Sequence, residues 1–163
     1  MCIAALEDVD PRRRTAMADI TQIQLRLKTP NGEDVGTDGD VFLGIAGREF
    51  YIDEDRDDFE KRDDHTYILG DSASILHAEF NDPRMQRLVT DDVLKFPAYI
   101  RFEPENRDDN WLLNIVQVTV NPGPNQIFLT RRHPSDPDDD RFSIWLGQRR
   151  GKILYLEIEP RRD

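Results

Sequence analysis

Apolar residues in this chain recur at every second position in short runs, the spacing of strands with one buried face. Ile23, Leu25 and Leu27 alternate with Gln22, Gln24 and Arg26, and Pro30-Asn31-Gly32 ends that run as a turn. Val41, Leu43 and Ile45 repeat the pattern, Ala46-Gly47-Arg48 reverses the chain, and Phe50 and Ile52 face inward on the return. Thr66–Leu69, closed by Gly70, is the next strand, and Tyr99–Phe102 follows Pro97. Trp111–Val120 is the longest apolar run, with further strands at Gln126–Thr130, Phe142–Leu146 and Ile153–Ile158. Many short strands separated by regular turn signals predict an all-β antiparallel sandwich.

Residues 71–96 break the alternation. Ser74–Phe80, stopped by Pro83, and Thr90–Leu94, capped by Thr90, Asp91 and Asp92, are each expected to form a helical turn. An ordered insert of this length is expected either to cover a sheet edge or to form an interface. Residues 1–18 lack alternation and are read as a tail, leaving 19–160 as one domain, with Met17 a second candidate start.

Charge changes the picture more than length does. The chain has 163 residues and a formal net charge of -11. Between Glu33 and Asp64 stand 13 acids and four bases, so this segment alone holds -9 of the -11. Such local acidity disfavours nucleic acid and would be relieved by a divalent cation. Arg131-Arg132-His133 and Arg149-Arg150-Gly151-Lys152 suggest a second face of opposite sign, a separation that favours a protein partner or head-to-tail self-association. Cys2 is the sole cysteine, so no intrachain disulfide forms. No apolar run approaches the roughly 20 residues of a membrane span, and the start lacks a signal peptide's order, so a cytoplasmic location is the expectation.

The acidic turns at strand ends supply the oxygen ligands that Ca²⁺ takes. Asp53, Asp55 and Asp57 have the opening spacing of an EF-hand loop, but its glycine position is Asp58, its closing glutamate position is Asp64, and the flanks are strand-like. His65, His77 and His133 are too scattered for zinc. No nucleophile elbow, phosphate-binding loop, dinucleotide fingerprint or Cys-x-x-Cys is present, and His65 in its acidic surroundings reads as an ion-paired histidine, so the chain is not expected to be an enzyme.

QLRLKT, GTDGDVFLGI, DDFEKRDDHTYILG, YIRFE and the Trp111-led WLLNIVQV together resemble the PLAT family, also called LH2 or lipoxygenase-homology domains, across roughly 19–160. The resemblance implies an eight-stranded antiparallel β-sandwich, here with a partly helical insert around 71–96, serving as a non-catalytic binding module with Trp111 in its core. In its acidic loops the chain is similar to the calcium-binding C-terminal domain of bacterial phospholipase C toxins. That similarity implies Asp34, Gly36, Thr37 and Asp38 on a first calcium loop and Asp53, Asp57 and Asp58 on a second, anchored by Phe59. It places Asp109 and the carbonyl of Asn110 on a third. Where those proteins have Asn and Gly in the middle loop, this chain has Glu54, Asp55 and Arg56, putting a positive charge at or beside the site. The function so implied is calcium-dependent binding of a protein partner, with a calcium-dependent membrane or lipid module as the alternative. The first loop carries no aromatic residue to enter a bilayer, and Trp145 is expected near the sandwich rim.

Overall fold

The computed structural model describes residues 17–131 and 142–160. The expected tail, apart from Met17 and Ala18, lies outside the described residues, as do Cys2, Arg132 and His133. Ten strands and one short helix follow in order: β1 (Gln22–Lys28), β2 (Asp40–Ile45), β3 (Arg48–Ile52), β4 (Asp64–Gly70), α1 (Thr90–Lys95), β5 (Ala98–Glu103), β6 (Asn110–Leu113), β7 (Ile115–Val120), β8 (Ile127–Thr130), β9 (Ile144–Gly147) and β10 (Ile153–Ile158).

Eight strands hydrogen-bond in the order β3-β2-β5-β10-β8-β7-β1-β4, all pairs antiparallel. The two halves of this sandwich join through β10, whose Ile153–Leu156 pair with β5 while Glu157 and Ile158 pair with β8. The sheet therefore curls until it is nearly a barrel. Period-two burial holds along β1, where Ile23, Leu25 and Leu27 are buried and their neighbours half-buried.

The long apolar run did not remain one strand. It divides at the buried Asn114, whose backbone N–H bonds to the Lys28 carbonyl. Before that point the chain pairs with β9 in a separate two-stranded ribbon, and after it with β1 and β8. Alternation marked the buried face on both sides of the break but held no information about the change of partner.

At one end of the core, aromatic rings form a plug. Phe59 lies 5.3 Å from Trp111 and 5.6 Å from Tyr67, and Phe102 lies 5.9 Å from Trp111 (ring centroids). Trp111 is fully buried and donates its indole N–H to Thr29 Oγ1 at 2.9 Å, so its polar atom is satisfied inside the core. Phe59 belongs to the acidic loop, which is thus nailed to the core by an apolar side chain.

The insert closes the seam between the two free sheet edges, β3 and β4. Tyr51 of β3 donates its N–H to Asn81 Oδ1, and Arg48 donates to the Phe80 and Asp82 carbonyls. Ser74 exchanges two bonds with Ile68 of β4, and Leu76 N–H reaches the Asp53 carbonyl. Unpaired edges invite pairing with other chains, and here loop groups satisfy them. Of the two expected helical turns, Thr90–Lys95 is helical, whereas Ser74–Phe80 is a series of turns whose backbone groups serve the edges instead. Arg131, expected on a basic surface, is buried, with its guanidinium against the Phe142 carbonyl.

Candidate metal centre

Three loops meet above the aromatic plug: 29–39 between β1 and β2, 53–63 between β3 and β4, and 104–109 between β5 and β6. All nine residues expected to bind calcium line adjoining clefts there. A cleft of about 460 Å³ is bordered by Asp34, Gly36, Thr37, Asp38, Glu60 and Asp109 among others. A neighbour of about 420 Å³ runs from Asp34 and Gly36 past Asn110 to Trp145 and Arg150. A third, of about 160 Å³, holds Asp53, Asp57 and Asp58 and shares Thr37 and Asp38 with the first.

Close backbone approach holds the loops together. A Cβ on Gly36 would stand 3.1 Å from the Phe59 carbonyl oxygen and 3.2 Å from Glu60 Oε2, so glycine lets the first loop lie against the second. Buried Thr37 ties the first loop to the third. Its hydroxyl donates to the Asp109 carboxylate, with oxygens at 2.8 and 2.9 Å, and accepts the Gly39 N–H at 2.8 Å. Asp109 Oδ2 also accepts the Glu105 N–H. Asp34 has a left-handed backbone, φ 53°, a conformation that aspartate adopts more readily than most residues.

Within this frame the acids separate into two groups. Asp38, Asp57 and Glu60 each place an oxygen within 4.8 Å of the other two. Oxygens bound to one Ca²⁺ at about 2.3–2.6 Å can be no more than roughly 5 Å apart, so a single ion can touch all three. Among the described residues no ion pair neutralises any of them. Burial, then the charges of Asp57 and Asp38, push the Glu60 carboxyl above its ordinary pKa. Hard oxygen donors, mutual repulsion and a cleft open to solvent suit a divalent cation.

Asp53 and Asp58 form the second group, and their surroundings differ. Asp58 Oδ1 accepts from Arg56 Nη1 at 2.8 Å and from the Tyr67 hydroxyl at 2.9 Å, and Oδ2 accepts the Glu54 N–H at 2.8 Å. Its side chain is 6% exposed. Asp53, beside it, has a carboxyl raised first by burial and then by the Asp58 charge. Tyr67, largely buried next to Asp58, has its hydroxyl pushed well above the usual tyrosine range.

Sequence reading missed Glu60. It stands three residues after Asp57, within the acidic run, but no motif distinguishes it from its neighbours, and only the approach of Gly36 brings it to Asp38. His65 is paired as expected, with Nε2 2.8 Å from Glu54 Oε2, while Ser74 donates to the other oxygen of Glu54. Trp145 does sit at the rim, half-buried, with the Arg150 guanidinium 5.4 Å from its ring centroid.

The fold is an all-β antiparallel sandwich, nearly barrel-like, with acidic loops gathered at one end. Among solved structures the chain is similar to the alpha-toxin of Clostridium absonum, with 20% identity and a TM-score of 0.55 over 85% of this chain and 32% of that one. It is also similar to the alpha-toxin of an avian Clostridium perfringens strain, with 16% identity and a TM-score of 0.56 over 86% and 32%. A coral 8R-lipoxygenase, described as calcium-activated through a C2-like domain, aligns at 14% identity and a TM-score of 0.49 over 84% and 17%, too distant to carry an argument. The chain spans about a third of the toxins' length, and at these identities the likeness shows a shared fold. No protein-family profile matches the chain, and no curated protein matches it significantly.

Proposed function

We propose that this chain is a non-catalytic, calcium-binding PLAT/LH2-like module that recognises a protein partner. The observation that carries the calcium reading is the approach of Asp38, Asp57 and Glu60 within 4.8 Å of one another. Asp34, Gly36, Thr37 and Asp109 border the cleft that holds Asp38 and Glu60, Asn110 borders the neighbouring one, and these residues supply either further oxygens or the scaffold that aims them. The bound ion would supply positive charge between the first loop, which brings Asp38, and the second, which brings Asp57 and Glu60, and this chain's residues hold those loops so that the donors converge. The partner reading draws on the outer face of β5 and β10, where Tyr99 meets Tyr155 edge-on, Arg101 stacks over Phe42 at 4.0 Å, and Tyr155 and Ile153 are exposed. Tyrosine and arginine are enriched where proteins meet.

A lipid reading is favoured by one observation, the Trp145–Arg150 pair at the cleft rim, since an interfacial aromatic beside a cation suits a headgroup layer. Thermal unfolding with and without Ca²⁺ tests the calcium reading, and no rise in melting temperature at millimolar Ca²⁺ would refute it. Liposome co-sedimentation in Ca²⁺ separates the partners: pelleting with vesicles selects lipid, and none leaves the protein partner.

A further inference from the structure

We infer that Arg56 is a built-in counter-cation of the middle loop, so that Asp58 and Asp63 are organised by its guanidinium and calcium is confined to the neighbouring Asp38–Asp57–Glu60 cluster. This rests on the calcium reading for its second half only. The first half stands on the hydrogen bonds of the chain itself.

Arg56 bridges two carboxylates. Nη1 donates to Asp58 Oδ1 at 2.8 Å and to Asp63 Oδ2 at 3.0 Å, and Nη2 donates to Asp63 Oδ1 at 2.6 Å. Asp63 Oδ2 also accepts the Phe59 N–H at 3.1 Å. Asp63 is 11% exposed and Asp58 6%. A carboxylate offers about four acceptor positions, and each of these already receives three bonds. A metal ion entering there would have to displace a guanidinium whose planar fork already matches Asp63 bidentately. At the adjacent cluster nothing comparable must be displaced.

The same bonds decide where the loop's other side chains go. With Asp58 held inward by Arg56, Tyr67 and the Glu54 N–H, its sequence neighbour Asp57 faces solvent beside Asp38. With the Phe59 N–H held by Asp63 and the Phe59 ring in the aromatic plug, Glu60 follows at the edge of the first loop. Arg56 is thus a positioning residue for the cluster: it orders Asp57 and Glu60 before an ion arrives, without touching the ion. The middle loop should be folded in metal-free protein.

The test uses the full chain in EDTA and in CaCl₂. Hydrogen exchange of the 53–63 segment in EDTA is expected to show protection at the Glu54 and Phe59 amides. Arg56→Gln should lower it by roughly tenfold or more, the worth of a hydrogen bond to a charged group. Calorimetric titration of the wild type should give one Ca²⁺ per chain, and Arg56→Gln should weaken that site while leaving the circular dichroism spectrum unchanged. Arg56→Lys, which keeps the charge but loses the fork, should be intermediate. Two or more ions per wild-type chain would overturn the inference, as would 53–63 amides protected only after Ca²⁺ is added. Protected amides in a wild type that binds no Ca²⁺ would support the role of Arg56 and refute the calcium reading of the cluster, so the two failures are distinct.

Discussion

Replacing Glu60 by Gln should stabilise the metal-free protein and at the same time weaken its response to calcium, a pair of opposite effects that a merely structural acid would not produce. Glu60 lies within 4.8 Å of both Asp38 and Asp57, oxygen to oxygen. Coulomb's law at that distance gives about 0.9 kcal/mol of repulsion per pair at the permittivity of water. At physiological salt, with a Debye length of about 8 Å, roughly half of this remains. The two pairs together then cost about 1 kcal/mol, which for a protein of this size is about 2–4 °C in melting temperature.

The sign with pH follows from the raised Glu60 pKa. A carboxyl whose folded pKa is raised costs stability at neutral pH, and the cost fades as pH falls through the folded value toward the ordinary 4.5. The stability gap between Glu60→Gln and wild type in EDTA should therefore be largest near neutrality and close below about pH 4.5. In Ca²⁺ the order reverses. Wild type at a hundredfold excess over Kd gains about 2.7 kcal/mol, whereas the variant, with one of three carboxylates gone, should gain less than half of that. Differential scanning calorimetry in EDTA and in millimolar CaCl₂ reads both effects. A variant that melts below wild type in EDTA, or that keeps the full calcium shift, would refute the reasoning.

Three further outcomes are expected. Thr37→Val removes the donor to Asp109 and leaves the Gly39 N–H without its acceptor, so urea denaturation should show a loss of about 1–3 kcal/mol. Asn81→Ala uncovers the Tyr51 N–H on the β3 edge and breaks the bond to the His77 carbonyl. It should cost about 1–2 kcal/mol and raise light scattering on heating, and unchanged scattering would argue against the insert as an edge cover. Glu49, held below its ordinary 4.5 first by the Arg101 hydrogen bond, contributes stability that is full above that value and fades as pH falls through the lowered one. Since both side chains are partly exposed, Glu49→Gln should cost no more than about 1 kcal/mol at pH 7, and a urea series against pH should show the difference vanishing in acid.

What sequence determined and what it left to tertiary structure divide along a physical line. Alternation at period two is a local property, so Ile23, Leu25, Leu27, Val41, Leu43 and Ile45 announced both their strands and their buried face. The concentration of charge between Glu33 and Asp64 was equally local, whereas the anchoring of the acidic loop by Phe59 was expected only from the family resemblance and is made by a contact with the distant Trp111. The break at Asn114 left only a change of phase, from buried Trp111 and Leu113 to buried Val116, Val118 and Val120, and a phase change does not name the new pairing partner. The insert's work was legible only as one of two options, edge cover or interface, since the groups that meet β3 and β4 are the Asn81 amide, the Ser74 hydroxyl and backbone groups in a segment without pattern.

At the site the division is sharper. Sequence, through its family resemblance, assigned nine residues to loops at one end of the sandwich, and the structure brings all nine to adjoining clefts. It could not sort them, because Asp57 and Asp58 are chemically identical and adjacent. Only the fold turns Asp58 toward Arg56 and Tyr67, where its charge is already met, and leaves Asp57 beside Asp38 and Glu60, where it is not. An acid's usefulness to a cation depends on what else it touches, and those contacts come from residues distant in the chain.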